Sequence, residues 1–199
     1  MNVVGLLAFA VVGSLRGADA DLDVLGVAVL GVLTALGGGV TRDLLVDSVP
    51  VALRSTTDVS VVLFGVVAGI ALARLGDDLT DQSLTDHAVV LLPDAVGLAA
   101  FATTGALVAT DAGLSAFGVV VLATVTGVGG GLVSDVLLRN VPFVLVEDFY
   151  ATCAIVGGSV FWLVATVGVG QRASALVCAV VVFGLRSLAI RYEWELPTV

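Results

Sequence analysis

The sequence predicts an all-α membrane protein with seven transmembrane helices, arranged as two inverted three-helix repeats plus a seventh helix. Three observations lead to this fold class: a strongly apolar composition, a succession of helix-length apolar segments, and an internal duplication. Of the 199 residues, 59% are hydrophobic and only 13% are charged, whereas about a quarter of the residues in a soluble domain are charged. So few polar residues could not cover a soluble bundle of buried helices.

Seven apolar segments approach the roughly 20 residues that a helix needs to cross about 30 Å of hydrocarbon. They span residues 2–15, 24–40, 59–73, 93–110, 112–133, 149–170 and 173–190. The first segment has no basic start, and Arg16 stands where a secretory signal would have its small-residue cleavage site. We therefore interpret this segment as the first helix.

The chain repeats itself after 92 residues without a gap, so that Gly5 falls on Gly97. Nearly half of the positions in Gly5–Leu53 are identical to their counterparts in Gly97–Leu145. We expect a single transmembrane domain over 1–199, with a first repeat over 1–76, a second over 93–170 and a seventh helix over 171–191. Three crossings per unit force the second unit to enter the membrane from the opposite face, which makes an inverted repeat.

The duplication contains a doubled motif, "LGGGVTRD" in the second segment and "VGGGLVSD" in the fifth, each followed by Val-Pro. Glycine costs a helix interior roughly 1 kcal/mol relative to alanine, so each triplet is expected to break or bend its helix. Such a break is tolerated in a membrane only where it is packed in protein or faces water. We expect the two kinks to meet near the midplane and the two prolines to stop the helices.

The motif supplies the candidate site residues. The predicted pore kinks are Gly37, Gly38, Gly39, Gly129, Gly130 and Gly131. The predicted polar lining of the pore is Thr34, Thr41, Asp43, Thr126, Ser134 and Asp135. An aspartate near the bilayer centre costs about 2.5–3.5 kcal/mol, and such groups normally face a bundle interior or a water path. Arg42 and Arg139 are candidates for gating or electrostatic tuning; they are placed asymmetrically, because Ser134 matches Arg42 and Asp47 matches Arg139.

Other interpretations of the motif stay open at this point. The glycines could serve only close helix packing, and the two aspartates could cap half-helices at the interface. A phosphate-binding loop fits poorly, because the chain has neither lysine nor a G-x-x-x-x-G-K-[ST] motif.

The net charge of −9, without any lysine, suits water of high ionic strength and predicts a halophilic source. It argues against a nucleic-acid partner, which would need a basic face. Cys153 and Cys178 are expected as small, unpaired core residues, and His87 as a solvated residue. No metal site and no cofactor are predicted.

Arginine placement gives the predicted orientation in a cell membrane. Relative to the side where the chain starts, three arginines fall on that side and five on the other. The two groups are Arg42, Arg54 and Arg172, and Arg16, Arg74, Arg139, Arg186 and Arg191. Cytoplasmic loops carry the arginine excess, which places the N-terminus outside and the C-terminus in the cytoplasm.

Two copies of "GGG-x-x-x-D-x-L…VP", each preceded by "G-[LA]-x-A-F-A-x-x-G-x-L", resemble the prokaryotic branch of the TRIC (trimeric intracellular cation) channels. This branch is also known as a glycine-transporter-type or UPF0126 membrane domain. The resemblance covers about Val3–Ala189. It implies a homotrimer of seven-helix protomers, each with its own pore lined by glycine-kinked helices two and five. Ser134 departs from the family pattern, in which arginine is common, and the animal members' basic lipid-binding motif has no counterpart here.

The resemblance implies a non-enzymatic channel that passes monovalent cations, K⁺ and also Na⁺, among the lipids of a membrane. The repeat alone also fits a secondary transporter for glycine or another small solute, because inverted repeats with broken helices suit alternating access. A passive scaffold subunit is a third interpretation, disfavoured by the paired intramembrane acids.

Overall fold

Seven α-helices make up the fold of the described residues. The computed structural model describes residues 2–77, 88–146 and 149–194; His87, Asp78, Asp81 and Asp86 lie outside them. The helices are α1 (Asn2–Asp19), α2 (Val24–Leu45), α3 (Thr56–Asp77), α4 (Ala88–Asp111), α5 (Ala116–Leu137), α6 (Tyr150–Thr166) and α7 (Gln171–Tyr192). Short 3₁₀ turns follow α2 at Val51–Leu53 and α5 at Phe143–Leu145. The prediction of an all-α chain with seven helices is confirmed.

Six of these helices are long and apolar enough to cross a membrane, and the chain is a multi-pass membrane protein. The exception is α6, whose 17 residues extend about 26 Å. Its apolar segment was predicted to run to residue 170, but the chain leaves the helix at Thr166 because Gly168 and Gly170 adopt φ of +79° and +90°. The outer faces of the helices carry large exposed apolar side chains such as Phe64 and Val67 of α3, which suits contact with lipid.

The second and fifth helices end in left-handed turns. Asp47 and Arg139, at equivalent positions of the repeat, have φ of +55° and +59°, and the backbone N–H groups around them return to the last helical carbonyls. Pro50 and Pro142 come later and open the 3₁₀ turns as their N-caps. The prediction that the prolines stop these helices is therefore wrong.

Contacts between the two units come in reciprocal pairs. Phe9 and Phe101 are repeat equivalents, and their rings lie 5.2 Å apart between centroids. Gly5 packs against the Phe101 ring, and its equivalent Gly97 packs against the Phe9 ring. A twofold axis produces such pairs, because whenever two residues touch, their repeat equivalents touch as well.

The seventh helix packs on α4 and α6, and thus on the second unit. Cys178 of α7 and Cys153 of α6 are both buried and unpaired in that region. Their predicted role as small core residues is confirmed.

Candidate functional site

The glycine triplets form the contact between α2 and α5. A Cβ atom on Gly38 would overlap the backbone carbonyl oxygen of Thr126, and one on Gly130 would overlap the carbonyl oxygen of Thr34. A Cβ atom on Gly129 would lie 2.9 Å from the Cα atom of Gly38. The two backbones are therefore in direct contact, at a distance that only glycine permits.

Both triplets lie within uninterrupted α-helix. The prediction that the triplets break their helices is therefore wrong. A bend within an unbroken helix stays a prediction. Thr34 and Thr126 are buried beside the triplets, and their hydroxyls donate to the carbonyls of Leu30 and Leu122 at 2.7 and 2.6 Å. The centre of the protein is thus a tightly packed crossing in this conformation.

A buried carboxylate, Asp43, lies at the end of α2. Its Oδ1 accepts a hydrogen bond from the Nε of Arg42 at 2.8 Å and lies 2.7 Å from the Nη2 of the same side chain. Its Oδ2 accepts the backbone N–H of Val51 at 2.8 Å. Both side chains of the pair are about 5% exposed. Asp43 therefore caps the 3₁₀ turn and neutralises Arg42 at the same time.

Asp135 occupies the equivalent place at the end of α5. Its Oδ2 accepts the backbone N–H of Phe143 at 2.9 Å, as Asp43 does from the equivalent turn. Its Oδ1 lies 3.3 Å from the Nη1 of Arg16, a residue of α1. The guanidinium group of Arg16 also lies over the Phe143 ring, 4.9 Å from its centroid. The capping role is shared by both aspartates, but the cation comes from a different helix.

A second matched pair of hydrogen bonds joins α1 to α3 and α4 to α6. The Asn2 amide donates to Asp58 at 2.8 Å, and the Tyr150 hydroxyl lies 3.2 Å from a carboxylate oxygen of Asp94. Asn2 is the repeat equivalent of Asp94, and Asp58 is that of Tyr150. Beside the Tyr150–Asp94 contact, the guanidinium group of Arg186 in α7 lies over the Tyr150 ring, 4.7 Å from its centroid.

These groups form two vestibules at opposite ends of the α2–α5 crossing. Side A, the end where α1 begins, contains Asp43, Arg42, Asn2 and Asp58 around a space of about 20 Å³. Side B, where α1 ends, has a polar cavity of about 460 Å³. Its charged and amide lining is Arg16, Asp19, Asp94, Asp135, Asn140 and Arg186. A space of the first size holds about one water molecule, and the second holds several.

The structure brings most, but not all, of the predicted site residues together. Asp43 and Asp135 lie in the vestibules and Thr34 and Thr126 at the crossing. Ser134 is buried, and its hydroxyl has no hydrogen-bond partner among the described residues.

Two predicted residues stand apart from this site. Thr41 is exposed on the outer face, its hydroxyl donating to the carbonyl of Gly37, and Arg139 is exposed in the turn after α5.

Sequence reasoning missed Arg16, Asp94 and Arg186, which line the side-B vestibule, and the buried Tyr150, which contacts Asp94 and Arg186. Arg186 was used only to orient the chain, and Arg16 only for orientation and against a secretory signal, although an arginine in an apolar helix is itself a signal for a functional interior position. In the parts of the chain that the structure describes, no cluster of acidic, histidine or cysteine side chains could hold a metal ion.

Comparison with known proteins supports the fold. A family model described as "Glycine transporter" matches residues 1–74 and 91–166. The chain is 36% identical to the UPF0126 inner membrane protein YadS of Escherichia coli, over 100% of this chain and 94% of that protein. It is 38% identical to a UPF0126 membrane protein of Deinococcus radiodurans, over 99% of this chain and 89% of that one.

Solved structures of channels are among those that it resembles. One addresses the structural basis for conductance through TRIC cation channels, with a TM-score of 0.89 and 33% identity over 100% of this chain and 95% of that one. Another is a prokaryotic TRIC channel in 0.5 M KCl, with a TM-score of 0.87 and 33% identity over 98% and 96% of the two chains. This chain belongs to the glycine-transporter (UPF0126) family of membrane proteins and has the fold of the prokaryotic TRIC channels.

Proposed function

We propose that the protein is a channel for monovalent cations, K⁺ and Na⁺, with one permeation path in each protomer. The path runs from the side-A vestibule, between α2 and α5 at the glycine triplets, to the side-B vestibule. The observation that carries the proposal is the pair of buried carboxylates, Asp43 and Asp135, at opposite ends of a crossing that contains only glycine and threonine backbone at its closest point. Likeness to solved TRIC cation channels supports the same assignment.

Electrostatics at both vestibules favour cations over anions. Side A holds the carboxylates of Asp43 and Asp58 against one guanidinium group, that of Arg42. In addition, α2 ends at side A and α5 ends at side B, so each vestibule faces the negative end of a helix dipole. Carboxylates and helix carbonyls can replace part of the hydration shell of an entering K⁺ ion.

In this conformation the crossing is the closed part of the path. No methyl group fits between Gly38 and Thr126 or between Gly130 and Thr34, so a hydrated or bare ion cannot pass until α2 and α5 separate. The same packing disfavours a secondary transporter for glycine, because an occluded zwitterion would need a cavity between the triplets. Glycine flexibility, including the predicted bends, is our proposed means of opening.

The larger architecture belongs to the same proposal. The reciprocal contacts of Phe9 with Phe101, and of Gly38 and Gly130 with the facing threonines, support two inverted repeats about an axis through the crossing. We propose a homotrimer in a cell membrane, with the N-terminus outside and the C-terminus in the cytoplasm. The acidic, lysine-free composition fits a halophilic source.

The test is electrical recording of the purified protein in planar bilayers under a KCl gradient. We expect unitary currents of picoamperes that reverse near the K⁺ equilibrium potential and persist when Na⁺ replaces K⁺. In parallel, proteoliposomes are loaded with unlabelled glycine and tested for counterflow of labelled glycine. Saturable counterflow without unitary currents would overturn the channel assignment in favour of the transporter.

A further inference from the structure

The two vestibules obtain their neutralising arginine from different places. On side A, Arg42 precedes the carboxylate in the same helix and pairs with Asp43. On side B the position equivalent to Arg42 is Ser134, and the cation on Asp135 is Arg16 of α1. The repeat equivalent of Arg16 is Val108, so the first unit contains both arginines and the second unit contains neither.

We infer that Arg16 substitutes for the arginine that the second repeat lacks, and that it sets the cation affinity of the side-B vestibule by neutralising Asp135. The surroundings of Asp135 support the exchange. The α5 end, the left-handed turn and the 3₁₀ turn match those of α2, and Asp135 caps Phe143 as Asp43 caps Val51. The cation differs, and the Ser134 hydroxyl is buried with no hydrogen-bond partner among the described residues.

The origin of this arginine makes the side-B charge depend on the position of α1. Arg42 and Asp43 are neighbours in one helix, so their pairing survives any movement of the two units. Arg16 lies in the first unit, whereas Asp135 and the Phe143 ring that it covers belong to the second. Movement of α1 away from α5 therefore withdraws the Arg16 cation from Asp135 at side B and leaves the Arg42–Asp43 pair at side A in place.

This inference rests on the proposed function for its consequence, which is rectification. Arg16→Ala removes one positive charge from the side-B vestibule, whose cavity of about 460 Å³ is lined by Asp135. In low salt, cation current entering from side B should rise about twofold or more. The effect should fade near 1 M KCl, where the Debye length is about 3 Å.

Relocating the charge gives the decisive test. The double variant Arg16→Ala with Ser134→Arg places an arginine at the position that Arg42 occupies in the first unit, directly before the carboxylate. We expect it to restore wild-type rectification and the thermal stability lost in Arg16→Ala. The matched control is Arg191→Ala, which removes an exposed arginine at the end of α7 and should change neither property.

The outcomes separate the two proposals. If the wild-type protein carries no current, the proposed function fails, and the melting temperatures alone decide whether Arg16 and Ser134→Arg are interchangeable partners of Asp135. If the wild type conducts and Arg16→Ala rectifies no more than Arg191→Ala, the inference is overturned. Should Arg16→Ala fail to fold, recovery of the folded protein by Ser134→Arg supports it, and failure to recover contradicts it.

Discussion

Replacing single glycines within one triplet should give opposite results at adjacent positions. In Gly38→Ala, the added Cβ overlaps the Thr126 carbonyl oxygen, a backbone atom that cannot turn away. In Gly39→Ala, the nearest atom to the added Cβ is the Nη2 of Arg42 at 3.8 Å, which is ordinary contact. The two variants have the same chemistry, helix and triplet, and differ only in what the methyl group meets.

The magnitudes follow from this geometry. Relief of the overlap requires α2 and α5 to move apart by roughly 1 Å, and overpacking of this kind costs about 1–3 kcal/mol. At about 2–4 °C per kcal/mol for a chain of this size, Gly38→Ala should melt about 2–12 °C below wild type. Gly39→Ala should be neutral or up to about 1 kcal/mol more stable, because alanine is the better helix former.

The assay is thermal unfolding of the purified protein in one detergent, followed by bilayer recording. Gly130→Ala should match Gly38→Ala, because it meets the Thr34 carbonyl oxygen in the same way. The double variant Gly38→Ala, Gly130→Ala should lose less unfolding free energy than the sum of the two single losses, because the first methyl group already separates the helices. Both single variants should raise the open probability. Equal melting temperatures for Gly38→Ala and Gly39→Ala would refute the close crossing.

Three further predictions concern the vestibules. Replacing both Asp43 and Asp135 by Asn should shift the reversal potential in a KCl gradient towards zero, as cation preference falls; an unchanged reversal potential would remove both carboxylates from the path. Ser134→Ala should leave the melting temperature unchanged or raise it by up to a few degrees, because it removes a buried hydroxyl that has no partner in the part of the chain that the structure describes; a large loss would contradict this. Tyr150→Phe should destabilise by about 1–3 kcal/mol, since the hydroxyl contacts the buried Asp94 carboxylate; wild-type unfolding would contradict that contact.

The helices could be predicted, and the doubled motif recognised, from the sequence because both depend only on local composition and spacing. The sequence did not predict what the triplets do. Glycine's cost of about 1 kcal/mol in a helix suggested a break, but close contact between Gly38 and Gly130 backbones and the facing helix offsets that cost without opening the helix. The packing interpretation of the glycines describes this contact, and the capping interpretation of the aspartates describes part of what Asp43 and Asp135 do.

The residues that form the side-B vestibule could not be predicted from one sequence. Arg16 meets Asp135 across 119 positions of the chain, and this contact depends on how α1 is shifted along α5, which packing of many apolar side chains decides. The substitution of Ser134 for arginine was visible as an asymmetry, but nothing in the residues around it indicated which helix would supply the missing charge.

The most direct test of the account is to lock the α2–α5 crossing reversibly. A Cβ atom on Gly37 lies 3.2 Å from the Cγ2 of Val133, so cysteines at both positions come near the Cβ separation of about 3.8 Å that a disulfide needs. We predict that oxidation of the Gly37→Cys, Val133→Cys double variant abolishes unitary cation currents, that reduction restores them, and that neither single variant responds. Undiminished current through a protein whose disulfide has been verified by mass spectrometry would contradict a path between these helices.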